Sequence, residues 1–294
     1  MIAKNLLFFL AFLLFTNGIY RHDRPIEQYL KLAKEERFNC VGEIISFQEG
    51  EWQGIGSFVV IDSMTILSAA HCFVVEKRKD TVVNYQGNKV ITSVSLGRTV
   101  GNVANYRFSV FNSQYTAKSI LFHPNYLQDR TCDLALIKLD KPIHGCPVLK
   151  LNTETNEVGD TVTGVGFGSS GPGNRSDLVA AYHIKLAGQN ILDSVGGAVW
   201  NGVSTILFFD FDSPDLRADC NRTGSPVPIE LEYSIGGGDS GGPLFTTKNN
   251  ELCLVGIASF SPRTVANLLK NGYYCELNGW TRIAAFTEWI KANR

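Results

Sequence analysis

The sequence predicts an all-β fold, a sandwich or barrel, closed by one helix at the C-terminus. Short β-type runs recur between turn residues in the first half: GSFVVI (56–61), MTILSAA (64–70), KVITSVSL (89–96), YRFSVF (106–111), LALIKL (134–139) and TVTGVGF (161–167). The second half repeats the style in YHIKLA (182–187), STILFFDF (204–211), CLVGIASF (253–260) and YYCELNGWTRI (273–283). Few stretches of helical period separate these runs, which argues against an α/β chain. The exception is the end, AAFTEWIKANR (284–294), where Ala285, Trp289 and Ile290 suggest an amphipathic helix that docks its apolar side.

From the start, the chain carries Lys4, an apolar run from Leu6 to Phe15, then Thr16, Asn17 and Gly18. A cation, a short apolar stretch and small residues near a cut form the pattern of a secretory signal peptide. The run is about half of the ~20 residues that a spanning helix needs. Residues 1–18 are expected to be removed on export, with the cut near Gly18 or Tyr20, leaving a secreted protein with no stable membrane association. Residues 19–38 read as an N-terminal segment or propeptide, with a short helix suggested by Ile26, Leu30 and Ala33. The main domain is expected over 39–294, and Asp140–Gly159, with Pro142, Gly145 and Pro147, is the candidate linker between its halves. EKRKD (76–80) reads as a solvated loop tip.

Composition narrows the function. With 27 Lys plus Arg against 28 Asp plus Glu, the net charge is −1, so electrostatics gives no reason to expect nucleic acid as a partner. Seven cysteines, at 40, 72, 132, 146, 220, 253 and 275, agree with an oxidising destination, and the odd count leaves a thiol free or paired between chains. C-x-x-C and H-E-x-x-H are absent, so no metal site and no cofactor are expected.

Three segments carry chemistry. LSAAHC (67–72) ends a β-type run at His71, CDLALIKL (132–139) opens an apolar strand at Asp133, and GGGDSGGP (236–243) sets Ser240 among glycines. A lone histidine beside a cysteine, or an aspartate opening a strand, is ordinarily structural. The serine is more specific, because a nucleophile needs a sharp turn whose neighbours lack side chains and whose N–H groups can face an oxyanion. GDSGG also fits G-x-S-x-G, the nucleophile elbow of α/β-hydrolases, which place the histidine after the serine. Here His22, His71, His123, His144 and His183 all precede Ser240. A subtilisin-type order, Asp then His then Ser, would need Asp23 or Asp62 as orienter and an α/β fold that this β-rich pattern does not offer. The surviving order is His, Asp, Ser.

Together these blocks resemble the signatures of the trypsin/chymotrypsin family, a divergent member, and further matches extend over about residues 41–294. FHPNY (122–126) resembles the loop ahead of the family's aspartate, which makes His123 structural. GIASF (256–260) resembles the strand lining the substrate cleft, placing Ser259 near Asp133 and Phe260 on the cleft wall. GWTRIAAFTEWIKANR resembles the closing strand and terminal helix. The resemblance implies two packed six-stranded antiparallel β-barrels with a C-terminal α-helix, the first over about 41–145, the second over about 158–283 and the helix over 284–294. It further implies a secreted serine endopeptidase with His71 as general base, Asp133 as its orienting partner, Ser240 as nucleophile and the N–H groups of Gly238 and Ser240 as oxyanion hole. Partners would be a protein or peptide substrate and protein inhibitors, acting on a monomer.

Departures from the family bear on pairing, activation and specificity. The usual cysteine partner of Cys72 is replaced, on the aligned sequence, by Gly54, and that of Cys275 by Gly236. No Ile-Val-Gly-Gly activation segment occurs in 19–55, so the activation-linked Asp239 needs another cation or several hydrogen bonds. A cut after Gly18 would give an Ile19-Tyr20 terminus, and removal near Arg37 would give Phe38. The primary pocket has Ser234 where an acidic residue would select Arg or Lys, with Ser261 and Asn278 on its wall. An uncharged, shortened pocket for small aliphatic to medium apolar side chains is expected. The alternatives are a non-catalytic homologue that uses the double barrel as a binding module, and an esterase, which the chain order disfavours.

Overall fold

The structure is a computed structural model describing residues 18–85, 88–147, 149–175, 183–216, 221–262, 267 and 270–294. The expected signal run, Tyr182 of the predicted 182–187 strand and Cys220 lie outside the described residues.

Two curled antiparallel sheets make the body of the molecule. The first runs, edge to edge, through Ser113–Tyr115, Tyr106–Val110, Val41–Gln48, Glu51–Asp62, Thr65–Ser68, Ala135–Leu139 and Ala117–Phe122. In Tyr106–Val110 the apolar Tyr106, Phe108 and Val110 are buried while Arg107 and Ser109 are not, the period of two of a strand with one face on a core. The second sheet orders Leu186–Ile191, Thr161–Gly166, Pro243–Lys248, Glu251–Phe260, Leu277–Arg282, Val203–Asp210 and Ser194–Trp200, with Lys150–Leu151 added in parallel beside Cys253 and Leu254. These are the two barrels of the trypsin-like fold. Among the described residues their pairings include seven and eight strands, in keeping with the two-barrel architecture that the resemblance implies.

The EKRKD run is not a loop tip. It falls inside Val74–Tyr85, which pairs with Asn88–Val100 in a two-stranded sheet of its own. Charge alone did not distinguish a loop tip from a strand whose partner comes later in the chain. This hairpin springs from the turn that carries His71 and is tied at its base by the Gly101 N–H on the Phe73 carbonyl, 2.7 Å.

The N-terminal segment is part of the body. Gly18–Tyr20 slots between Ser170–Pro172, in parallel, and Tyr233–Ser234, antiparallel, with Ile19 fully buried. The helix Ile26–Ala33 forms where expected, but it buries Tyr29, Leu32 and Ala33 and leaves Leu30 half-exposed. The i, i+3, i+4 stripe of those three faces the second barrel, and the Tyr29 hydroxyl donates to the Glu232 carbonyl at 3.0 Å. Phe38 is fully buried and stacks on Phe245. The C-terminal helix Ile283–Asn293 buries Ile283, Ala285, Phe286 and Ile290. Phe286 and Trp289, with Trp200, box the His123 ring at 4.9–5.1 Å between centroids. His123 is 1% exposed, and burial holds its imidazole below the ordinary histidine range.

Candidate active site

Strand pairing brings two distant residues together. Thr65–Ser68 runs antiparallel to Ala135–Leu139 with Ser68 opposite Ala135, so His71, just past one strand, meets Asp133, just before the other. The Asp133 carboxylate receives three donors. The His71 amide donates to Oδ1 at 2.9 Å, His71 Nδ1 lies 2.7 Å from Oδ2, and the Ser259 hydroxyl donates to Oδ2 at 2.6 Å. The Asp133 side chain is 4% exposed and that of His71 33%, so the ring's other edge is open to a reactant. Burial opposes the imidazolium, but the charge of Asp133, helped by Cys72, outweighs it and holds His71 well above the ordinary histidine range.

Ser240 sits on a turn that glycine makes feasible. Gly238 has φ +98° and Gly241 +81°, and a Cβ on Gly241 would lie 1.9 Å from Ser68 Oγ. The turn is stapled to the first barrel by Ser57, whose amide donates to the Ser240 carbonyl at 2.8 Å and whose hydroxyl donates to the Gly238 carbonyl at 3.0 Å. The Cys72 thiol also reaches the Ser240 carbonyl, at 3.5 Å, so the serine turn packs on the residue next to His71. Within the turn, the amides of Asp239, Gly241 and Gly242 donate to the carbonyls of Gly236, Ala258 and Asp239. Those of Gly238 and Ser240 have no acceptor among the described residues. Two unclaimed N–H groups on the turn that carries a serine are donors of the kind that can hold an oxyanion.

Asp239 is buried beneath this turn. Its carboxylate accepts the Gly168 amide at 2.8 Å and the Gly236 amide at 2.7 Å. The Gly168 carbonyl in turn accepts the Gly18 amide at 3.4 Å, which brings the N-terminal strand to the loop that cradles Asp239.

The residues expected around the primary pocket separate into two groups. Ser234 and Asn278 are fully buried and bonded to each other, Ser234 Oγ to Asn278 Oδ1 at 2.9 Å. Phe260, 39% exposed, joins His71, Asp133 and Ser259 in lining a cavity of about 440 Å³, which Tyr126, Arg130 and Thr131 complete. Ser261 follows at the end of the same strand, half-exposed.

Sequence reasoning missed Ser57, Tyr126 and Arg130. Ser57 had a signal, a hydroxyl at the head of the apolar run GSFVVI. Tyr126 had one as well, as the last residue of FHPNY, the block read as the loop ahead of Asp133, whereas Arg130 had none because the path of that loop is not given by the sequence. The facing partner of Cys72 also differs from the aligned position: a Cβ on Gly56, not Gly54, would stand 3.0 Å from Cys72 Sγ.

Two curled antiparallel sheets, with His71 bonded to Asp133 and the Ser240 turn packed on the adjacent Cys72, have the arrangement of a serine-protease-type fold. The chain belongs to the Trypsin family, whose profile it matches over residues 44–290. It is similar to "Serine protease SSP1" of Scolopendra subspinipes, at 24% identity over 258 residues that cover 82% of this chain and 74% of the relative. It is also similar to the urokinase-type plasminogen activator of Gallus gallus, at 26% identity over 250 residues, 80% of this chain and 49% of the relative. The chain thus aligns with about half the length of the second protein.

Proposed function

We propose that the protein is a secreted serine endopeptidase acting through an acyl-enzyme intermediate. The observation that carries this reading is a carboxylate-oriented imidazole at His71 whose neighbour Cys72 packs on the Ser240 turn, where the amides of Gly238 and Ser240 are unclaimed among the described residues. His71 takes the hydroxyl proton as Ser240 attacks a carbonyl carbon, then passes it to the leaving amine. Asp133, bonded to Nδ1, leaves Nε2 to face the nucleophile and stabilises the imidazolium. Gly238 and Ser240 donate to the oxyanion, and in another serine protease the loss of one such donor costs about 2.7–4 kcal/mol. No metal or cofactor enters these steps. The substrate is a protein or peptide, protein inhibitors bind the same cleft, and the working unit is a monomer.

Residues 19–38 stay with the mature enzyme on this reading. Ile19 and Tyr29 are fully buried, so cutting near Arg37 would strip packed side chains from the body of the protein. Export after signal removal near Gly18 would leave the Ile19 strand against the loop that holds Asp239. Cys40, Cys72, Cys132, Cys146 and Cys253 are free thiols.

The test is hydrolysis of a mixed peptide library by the secreted protein. The wild type cleaves, while Ser240→Ala and His71→Ala each lose activity to near background because the pair acts as a unit. Cleavage retained by either variant would remove the assignment.

A further inference from the structure

We infer that the hairpin of Val74–Tyr85 and Asn88–Val100 is a docking edge that takes an extended acidic stretch of another polypeptide as a third strand. That the stretch belongs to the substrate rests on the peptidase reading above. The two strands run from Val74 opposite Val100 to Tyr85 opposite Asn88, and among the described residues they pair with no other strand. The ribbon begins where the turn carrying His71 ends. At about 3.3 Å per residue, Val74–Tyr85 extends about 40 Å from that base. An edge of this kind presents a row of main-chain N–H and C=O groups to any chain laid alongside. A two-stranded ribbon alone is marginal in water, so a third strand stabilises it.

Charge decides what that chain must be. Lys77, Arg78 and Lys79 follow one another along Val74–Tyr85, and the register sets Gly97, Ser95 and Val94 opposite them, so no carboxylate stands across from these cations. Of the two acids on the strand, Glu76 is opposite Arg98 and Asp80 is opposite Ser93. Lys89 and Arg98 bring the hairpin to five cations against two anions, +3, in a chain whose net charge is −1. Val75 and Val82, 48% and 60% exposed, flank the basic run on the same strand, and Lys79 within it is exposed. The complementary occupant is an extended segment that is acidic at its middle and apolar towards its ends. A second copy of the hairpin fits badly, because pairing the two edges in register would oppose the same three cations. Lys77 lies three residues beyond Val74 and Lys79 five, about 10–17 Å out along the ribbon. The docked stretch is therefore separate from the residues at the cut, and it acts on substrate binding rather than on the chemical step.

Fluorescence anisotropy tests this on the secreted chain as Ser240→Ala, so that nothing is cut. The probe is a labelled peptide as long as the strand, with alternating glutamates at its middle and valines towards its ends. Its binding should weaken about tenfold when Lys77→Glu, Arg78→Glu and Lys79→Glu are combined, and should fall as salt rises from about 0.05 to 0.5 M. The same peptide N-methylated at alternate residues should bind at least about tenfold more weakly, because it cannot complete the ladder. That arm needs no hairpin variant to fold. On the wild type, the acidic peptide joined by a flexible linker to a short fluorogenic substrate should lower KM about fivefold and leave kcat in place. No binding, equal binding of methylated and unmethylated peptides, or binding indifferent to the charge reversal overturns the proposal. A dimer in sedimentation that the reversal abolishes would give the edge to a second copy and overturns it as well. Binding as expected, from a wild type that cleaves no peptide, keeps the docking edge and removes the peptidase reading.

Discussion

Gly56→Cys should install a disulfide to Cys72, and its size can be worked from the structure. A Cβ at position 56 would stand 3.0 Å from the Cys72 sulfur, the separation between a Cβ and the far sulfur of a bridge, so little backbone movement is required. The same Cβ would come within 2.9 Å of the Ser240 carbonyl, so the serine turn must yield by a few tenths of an ångström. Closing the loop between positions 56 and 72, roughly 15 residues, is worth about 3 kcal/mol in the chain-entropy account. For a domain of this size that is a rise in Tm of about 6–12 °C. The bridge also removes the Cys72 thiol that now donates to the Ser240 carbonyl. The assay is thermal unfolding of the oxidised variant with and without reductant, with thiol titration to count the bridge. A variant that keeps one more free thiol than the wild type plus the bridge allows, or whose oxidised and reduced forms melt together, would refute the placement of Gly56 against Cys72.

Three further outcomes follow from the geometry. Ser259→Ala removes a 2.6 Å donor from Asp133, so the carboxylate holds the His71 proton more tightly. The acid limb of kcat/KM against pH should then move upward by about one unit, with about a tenfold loss at neutral pH; an unmoved limb contradicts the coupling. Burial pushes Asp193 up to about 6, Asp212 to about 7 and Glu232 to about 8, with neighbouring carboxylates adding to the shift. Their folded values lie above the unfolded ones, so the folded chain holds more protons through this window and stability falls as pH rises from about 4 to 8. Tm should drop across that range and Asp212→Asn should flatten part of the drop, whereas a Tm that rises with pH would count against it. Phe38→Ala, at a fully buried ring stacked on Phe245 with centroids 5.6 Å apart, should cost about 3–5 kcal/mol in chemical denaturation. A loss under about 1 kcal/mol would mean that the segment before the first barrel is dispensable.

Much of this was legible in the sequence because alternation reports local structure directly. YRFSV and ALIKL read as strands and are strands, and the terminal helix buries Ala285 and Ile290 as its spacing suggests. The reading weakened where tertiary context decides. Leu30 looked like the buried side of its helix, but Tyr29 took that place because its hydroxyl finds the Glu232 carbonyl. The charges of EKRKD implied a loop, while the partner strand that makes it a hairpin, Asn88–Val100, lies further along the chain. His71, Asp133 and Ser240 stood out because each sits in a distinctive local string. Ser57 and Arg130 did not, since a staple or a cavity wall is defined by what crosses from another segment.

The central claim is that the neighbours of Ser240 make its hydroxyl a nucleophile, and the most direct measurement is covalent capture. The secreted protein is treated with a fluorophosphonate and the modified peptide mapped by mass spectrometry, alongside His71→Ala. The account predicts a single phosphonylated residue, Ser240, in the wild type and a loss of labelling by orders of magnitude in the variant. Folded wild-type protein that takes up no probe, or labels equally fast without the His71 imidazole, would contradict it.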